Sequence, residues 1–306
     1  MTTLALIGVG KWGKNYLNTA NNVNNCLIKY ICAETQQNLD TITGDYIKVT
    51  SPQDLLKYKD IDGIIIAAPT ATHFSLAKQF LSNGFNLLIE KPLTTSYSEA
   101  LKLYKIWKSK KPKVLVGHTF LYNPAFQKFK DIFDSTDNFK YISFEGLNSP
   151  KRSDVSVIWD WGPHPISLLL SLVKYPLYQL KAHGSFESVS AHLTFVNGIE
   201  AKIYISWFGE KKVRKLIAEG EEGKIQLDDT NTNNQKITLY SNNSEIEYPH
   251  YNLESPLKIE LNEFVQAIQG NKKIISNINI GVNVVKILSV IEKSVNNNGL
   301  LIKFHN

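Results

Sequence analysis

Only two cysteines, Cys26 and Cys32, occur in the 306 residues, and they flank a single expected strand. Their spacing matches no metal-binding pattern and two thiols are too few for a disulfide framework, so both are read as reduced filler and no metal is expected. Long hydrophobic runs are missing too. None reaches the length of a membrane span, and the first residues enter a strand without a basic segment or a cleavage-site pattern, which places the chain in the cytoplasm and off the membrane. Internal repeats and long disordered linkers are likewise absent. Positive charge is in surplus, +6 with a pI near 9.0. The lysines are scattered among asparagines, and the densest patch, Lys108 to Lys113, reads as a solvated helix end. With no helix-turn-helix, zinc-finger or RNA-binding signature, nucleic acid is not an expected partner, whereas a small acidic substrate suits the surplus.

What is present is ordinary soluble-protein composition, 43% hydrophobic and 20% charged, in a chain long enough for two cores. Leu4 to Ile7 reads as a buried strand, followed by Gly8-Val9-Gly10-Lys11-Trp12-Gly13 and a helical run from about Lys14. Strand, glycine turn and helix in this order are the setting of a dinucleotide fingerprint: the glycines allow a tight turn and close approach of a pyrophosphate, and the helix N-terminus faces it. A second strand, Leu27 to Ala33, ends at Glu34, at the distance where a carboxylate grips ribose hydroxyls. A carboxylate there repels a 2'-phosphate, so NAD is preferred, while Thr35, Gln36 and Gln37 leave NADP open.

Ser51-Pro52 opens a short helix, and the apolar strand Ile64 to Ala68 breaks at Pro69-Thr70 before a helix from His73 to Leu81. Phe85 to Ile89 is another buried-type strand that ends in Glu90, Lys91 and Pro92, placing charge where open α/β sheets hold their ligands. Ser96 and Glu99 form a capping-box pattern for a helix through Trp107, and Val114 to Gly117 is one more strand. Alternation of this kind implies a Rossmann-type, doubly wound parallel sheet over residues 1–122.

From residue 123 the pattern changes. Asn123-Pro124 begins a helix to about Phe133, and Phe139 to Asn148, Ser188 to Phe195, Ile199 to Trp207, Val213 to Glu219, Lys224 to Leu227 and Lys236 to Tyr240 read as strands. Asn197-Gly198 is a hairpin turn between two of them, and a polar loop covers 231–235. Ser255-Pro256 leads a helix through Gln269, a later helix covers Gly281 to Val295, and Leu300 to Phe304 closes as a strand. The span 123–306 is therefore expected to be an α+β domain with a largely antiparallel sheet. Lys151 and Arg152 lie in a polar loop suited to clamping an acidic substrate, or simply solvated. Beyond it, Trp159-Asp160-Trp161-Gly162-Pro163-His164-Pro165 runs into Ile166, Leu169, Leu170 and Val173 at helical spacing. If that helix extends back to Asp160, the carboxylate and His164 lie four apart on one face. A neutral imidazole can take a hydroxyl proton and a carboxylate beside it can orient it; a histidine packing at a helix start is the plainer alternative.

The glycine loop continued through Lys14-Asn15, Ala68-Pro69-Thr70 with His73, Glu90-Lys91-Pro92, Val116 to Pro124, and Asp160-Trp161-Gly162-Pro163-His164 together resemble, in order, the motifs of the Gfo/Idh/MocA family, the glucose-fructose oxidoreductase and inositol dehydrogenase relatives. The resemblance implies an NAD(P)-dependent oxidoreductase acting on a sugar or nucleotide-sugar hydroxyl or ketone. Gly8, Gly10, Lys11, Trp12, Gly13 and Glu34 would hold the cofactor; Ala68, Pro69, Thr70 and His73 would line its nicotinamide side. Glu90 would contact the nicotinamide ribose. Lys91, next to both cofactor and substrate, would act with Asp160 and His164 as the catalytic group, and Asn123 and Arg152 would join them in binding substrate. An arginine that many relatives carry near the Leu121-Tyr122 position is missing. Likeness of the Trp12 loop and the His118 to Pro124 stretch to surface-polysaccharide relatives implies a nucleotide-sugar, and the family's open sheet face implies a homo-oligomer, a dimer or tetramer. A dinucleotide-sensing regulator of the same fold stays open at this point.

Overall fold

The stretch Thr2–Ile7 (β1) is almost wholly buried, as a central parallel strand covered on both faces must be. Chain alternation then builds a sheet around it: α1 (Lys11–Ala20), β2 (Cys26–Cys32), α2 (Gln36–Asp40), β3 (Ile47–Val49), β4 (Gly63–Ile66), α3 (His73–Ser82), β5 (Asn86–Glu90), α4 (Tyr97–Lys110) and β6 (Val114–Gly117). All six strands are parallel, in the order β3-β2-β1-β4-β5-β6. The order reverses between β1 and β4, and doubly wound sheets bind ligands outside the carboxyl ends at that switch. The computed structural model describes residues 1–136, 139–148, 151–232, 235–241 and 246–304. Asn233 and Asn234 of the expected polar loop lie outside the described residues.

The second sheet has nine strands. After α5 (Pro124–Ser135) come β7 (Phe139–Leu147), the helices α6 (Val157–Asp160) and α7 (Pro163–Leu172), and then β8 (Leu177–Gly184), β9 (Ser188–Phe195), β10 (Glu200–Ser206), β11 (Val213–Gly220), β12 (Gly223–Asp228), β13 (Ile237–Ser241) and β14 (Ile246–Glu247). The chain closes with α8 (Pro256–Ile268), α9 (Ile278–Asn296) and β15 (Ile302–Lys303). The order is β14-β13-β12-β11-β7-β10-β9-β8-β15, antiparallel except for β7 and β10. Its strands alternate buried and open residues, Val189, Ala191, Leu193 and Phe195 on β9 for example, so one face carries the core.

Both expected sheets are present, with differences of detail. The pattern at Ser51-Pro52 forms a 3-10 turn over Pro52–Lys57, and Ser96 does not close a capping box because its hydroxyl pairs with that of Ser98. One compact unit comprises Met1–Thr119 together with Ser255–Val285; the other comprises Phe120–Glu254 and the chain from Lys286 onward. The segment 255–285, assigned by sequence to the second domain, therefore packs with the first sheet. Phe264 and Ile268 of α8 press on Gly63 at the start of β4, where a Cβ would come within 3.1 Å and 2.8 Å of them. No helix among the described residues is long and apolar enough to cross a membrane.

Candidate active site

In the first unit the site is built from loops at the carboxyl ends of β1, β4 and β5. Gly8 has φ +95, and a Cβ on it would lie 2.5 Å from the Ala67 carbonyl oxygen; one on Gly13 would lie 1.9 Å from that of Gly8. These two glycines let the turn fold on itself. A Cβ on Gly10, the residue that precedes α1, would meet nothing within 4 Å. The space over Gly10 is open in front of the helix N-terminus, so the loop fits a dinucleotide pyrophosphate there. Lys11 and Trp12 are exposed beside it, and Glu34 stands exposed just past β2.

His73 is the first residue of α3. It is 1% exposed, with Nδ1 2.8 Å from the Pro92 carbonyl oxygen and Nε2 3.0 Å from that of Ala68. The imidazole thus lies between the β4 and β5 loops, and each tautomer of the neutral ring donates to one of the two carbonyls.

Glu90 is 6% exposed at the end of β5, and the Lys91–Pro92 bond that follows is cis. The Tyr16 hydroxyl of α1 lies 2.7 Å from Glu90 Oε1 and 2.9 Å from Oε1 of Glu260, a fully buried residue of α8, while the Lys91 amide donates to Glu90 Oε2. A phenol has one proton to give, and two carboxylates in one dry site do not both ionise. Burial first, and the Glu90 charge second, hold the Glu260 carboxyl well above the usual range. Glu260 therefore keeps a proton and donates to Tyr16, which donates to the Glu90 carboxylate behind Lys91.

A raised acid contributes stability that is full below its unfolded pKa and is lost as pH rises toward the folded value. Glu260→Gln, an isostere of the protonated acid, should therefore gain steadily on the wild type in urea unfolding as pH rises above the ordinary carboxylate range. Parallel curves for the two proteins would show that Glu260 is ionised. His118 is fully buried nearby in sequence; Ser276 donates to the Val116 carbonyl, so His118 Nδ1 must donate to the Ser276 oxygen at 2.8 Å. Burial and the Lys91 charge push its pKa down to about 3, so it is a neutral imidazole.

In the second unit the expected helix through Asp160 and His164 is broken. α6 ends at Asp160, α7 begins at Pro163, and Gly162 lies between, where a Cβ would sit 2.2 Å from the Ile158 oxygen. Asp160, 9% exposed, accepts from the Trp207 indole at 3.2 Å and from Arg152 at 3.4 Å. Arg152 gives two further bonds, of 2.9 Å and 2.6 Å, to Asp154, so its fork is already used within the protein. Asn123 is similarly committed: its oxygen caps α5 at Ala125 and its amide donates to Asp229. His164 stacks on Phe120, ring centroids 4.1 Å apart and planes at 20°, and meets Trp161 edge-on at 5.6 Å. Tyr16, Glu260, Ser276 and Arg214, which borders a small void with Phe120, Asn123 and Asp229, carried no local signal that singled them out.

Residues 2–118 match the family model described as an oxidoreductase family with an NAD-binding Rossmann fold. In sequence the chain is 27% identical over 165 residues to UDP-N-acetylglucosamine 3-dehydrogenase of Acidithiobacillus ferrooxidans, covering 51% of this chain and 52% of that one. The match thus spans about half the length of that relative. A crystal structure of an oxidoreductase from Magnetospirillum magnetotacticum, described as putative, superposes with a TM-score of 0.85 at 28% identity, over 94% of this chain and 98% of that one. The solved UDP-N-acetylglucosamine 3-dehydrogenase of Acidithiobacillus ferrooxidans shares the fold at a TM-score of 0.87 and 21% identity, over 97% and 98%. The resemblance read from the motifs agrees with these findings: residues 2–118 match the NAD-binding Rossmann model of the Gfo/Idh/MocA oxidoreductase family.

Proposed function

We propose that the protein is an NAD-dependent dehydrogenase or reductase of a sugar or nucleotide-sugar, working on a secondary hydroxyl or the matching ketone. The observation that carries this reading is the end of β5: Lys91 follows a Glu90 anchored through Tyr16 to α1, the helix of the glycine turn. The charged strand end and the dinucleotide turn are thereby parts of one framework. A nicotinamide cofactor supplies the hydride chemistry. Around it, Gly8, Gly10, Lys11, Trp12 and Gly13 hold the pyrophosphate, Glu34 the ribose hydroxyls with preference for NAD over NADP, and Ala68, Pro69 and Thr70 the nicotinamide side. Lys91 polarises and positions the reacting oxygen, His164 exchanges its proton, and Asp160 sets the histidine's surroundings. Asn123 and Arg152 shape the substrate side as framework.

The name of the Acidithiobacillus ferrooxidans relative supports a nucleotide-sugar as substrate. A place in surface-polysaccharide synthesis in the cytoplasm belongs to the proposal on the motif resemblance alone. Assembly as a dimer or tetramer through the open face of the second sheet belongs to the same proposal. Purified protein incubated with NAD or NADP and a panel of sugars and nucleotide-sugars should reduce the cofactor with at least one of them, read at the nicotinamide absorbance. Cofactor binding with no turnover on any member, in either direction, would leave a dinucleotide-sensing regulator instead.

A further inference from the structure

Arg214 lies on β11 opposite Gly146 of β7, and the missing side chain at Gly146 leaves room for the Trp161 ring, which a Cβ there would meet at 3.0 Å. Its guanidinium carbon sits 5.1 Å from the Trp161 ring centroid and 5.8 Å from that of Phe120. Phe120 is the ring on which His164 stacks at 4.1 Å. The guanidinium can therefore be no farther from the imidazole than two adjoining ring contacts, a span one glycosyl unit with a substituent can bridge.

Arginine carries five N–H donors in a planar fork, and aromatic faces satisfy the charge but none of the donors. Nε of Arg214 is buried with no hydrogen-bond partner, and among the described residues the side chain makes no ion pair. Asp229, the carboxylate whose charge reaches it, spends Oδ1 on Asn123 at 2.9 Å and Lys236 at 2.7 Å. Arg152, the cation singled out by sequence for substrate, is bound instead to Asp154 and Asp160. A guanidinium held by two rings, partly desolvated and with its in-plane edge unused, is arranged for a bidentate oxyanion.

We propose that Arg214 is the anion-binding residue of the substrate site, receiving a carboxylate or phosphate carried by the substrate whose hydroxyl faces His164. The proposal rests on the oxidoreductase reading above and names its substrate class as acidic. Its test is equilibrium binding in the presence of NAD, with UDP as the phosphate probe against uridine and glucuronate as the carboxylate probe against glucose. Wild type should bind one charged probe at least about thirtyfold more tightly than its neutral counterpart. Arg214→Met, checked to be folded and to bind NAD, should erase that preference, and Arg214→Lys should keep part of it because a point charge replaces the fork. The arm that responds tells phosphate from carboxylate. Equal binding of charged and neutral probes by wild type, or a preference that survives in Arg214→Met, overturns the assignment. Absence of turnover with every sugar would sink the oxidoreductase reading alone, since these binding arms decide Arg214 without it.

Discussion

Replacing Lys91 with Met should lower kcat/KM by about a thousandfold or more, with NAD affinity within a few-fold of wild type. Methionine keeps the length and flexibility of the side chain and removes only the ammonium. The loop that carries it is fixed independently of that charge: Glu90 is anchored by Tyr16 and accepts the backbone amide of residue 91, and Pro92 is held through its carbonyl by His73. The cofactor turn has its own supports in Gly8 and Gly13. An effect confined to turnover therefore isolates stabilisation of charge on the reacting oxygen, which costs nothing in the ground state and is missed only as the barrier is crossed. Near-normal rates in this variant would remove Lys91 from the chemistry.

Changing His164 to Asn should lower kcat by about a hundred- to ten-thousandfold, the range a positioned acid or base contributes. In the direction of hydroxyl oxidation the imidazole must be neutral to accept the proton, so the wild-type rate should rise with pH. The variant has no such limb and its residual rate should be flat over the same range. Packing alone does not account for that signature. Phe120 and Trp161 frame the imidazole, and losing a stacking partner would shift stability without altering the shape of a pH profile. A variant that keeps the wild-type profile at a uniformly lower rate would make His164 a packing residue.

Much of this was legible in the residues because it is local. Alternation of apolar strands with helices and the glycine turn specify five of the six strands of the parallel sheet, and Glu90-Lys91-Pro92 stands out as the charged end of one of them. β8 was missed because Leu180 and Ala182 are its only buried residues, too few to give an alternating signal; its partner β9 holds it in place. β3 has three residues and none buried, and exists as the neighbour of β2. The return of 255–285 to the first sheet was invisible for a related reason: an amphipathic helix announces a buried face and says nothing of which sheet it covers. Tyr16 and Glu260 lie 244 residues apart, so no spacing rule links them. Arg214 reads in sequence as one more charge in a strand, and acquires meaning only from the rings beside it. His73 is harder to read, since a histidine at a loop-helix junction suits a ligand contact and a buried brace equally well, and the burial seen here is set by the Ala68 and Pro92 carbonyls beside its ring.

Lys91 and His164 are proposed to serve the same oxygen. A crystal structure with NAD and a turned-over sugar or nucleotide-sugar measures this directly. The account predicts Lys91 Nζ and a ring nitrogen of His164 each at about 3 Å from one substrate hydroxyl, with that carbon facing the nicotinamide. A complex in which the two side chains reach different atoms, or different cavities, would contradict it.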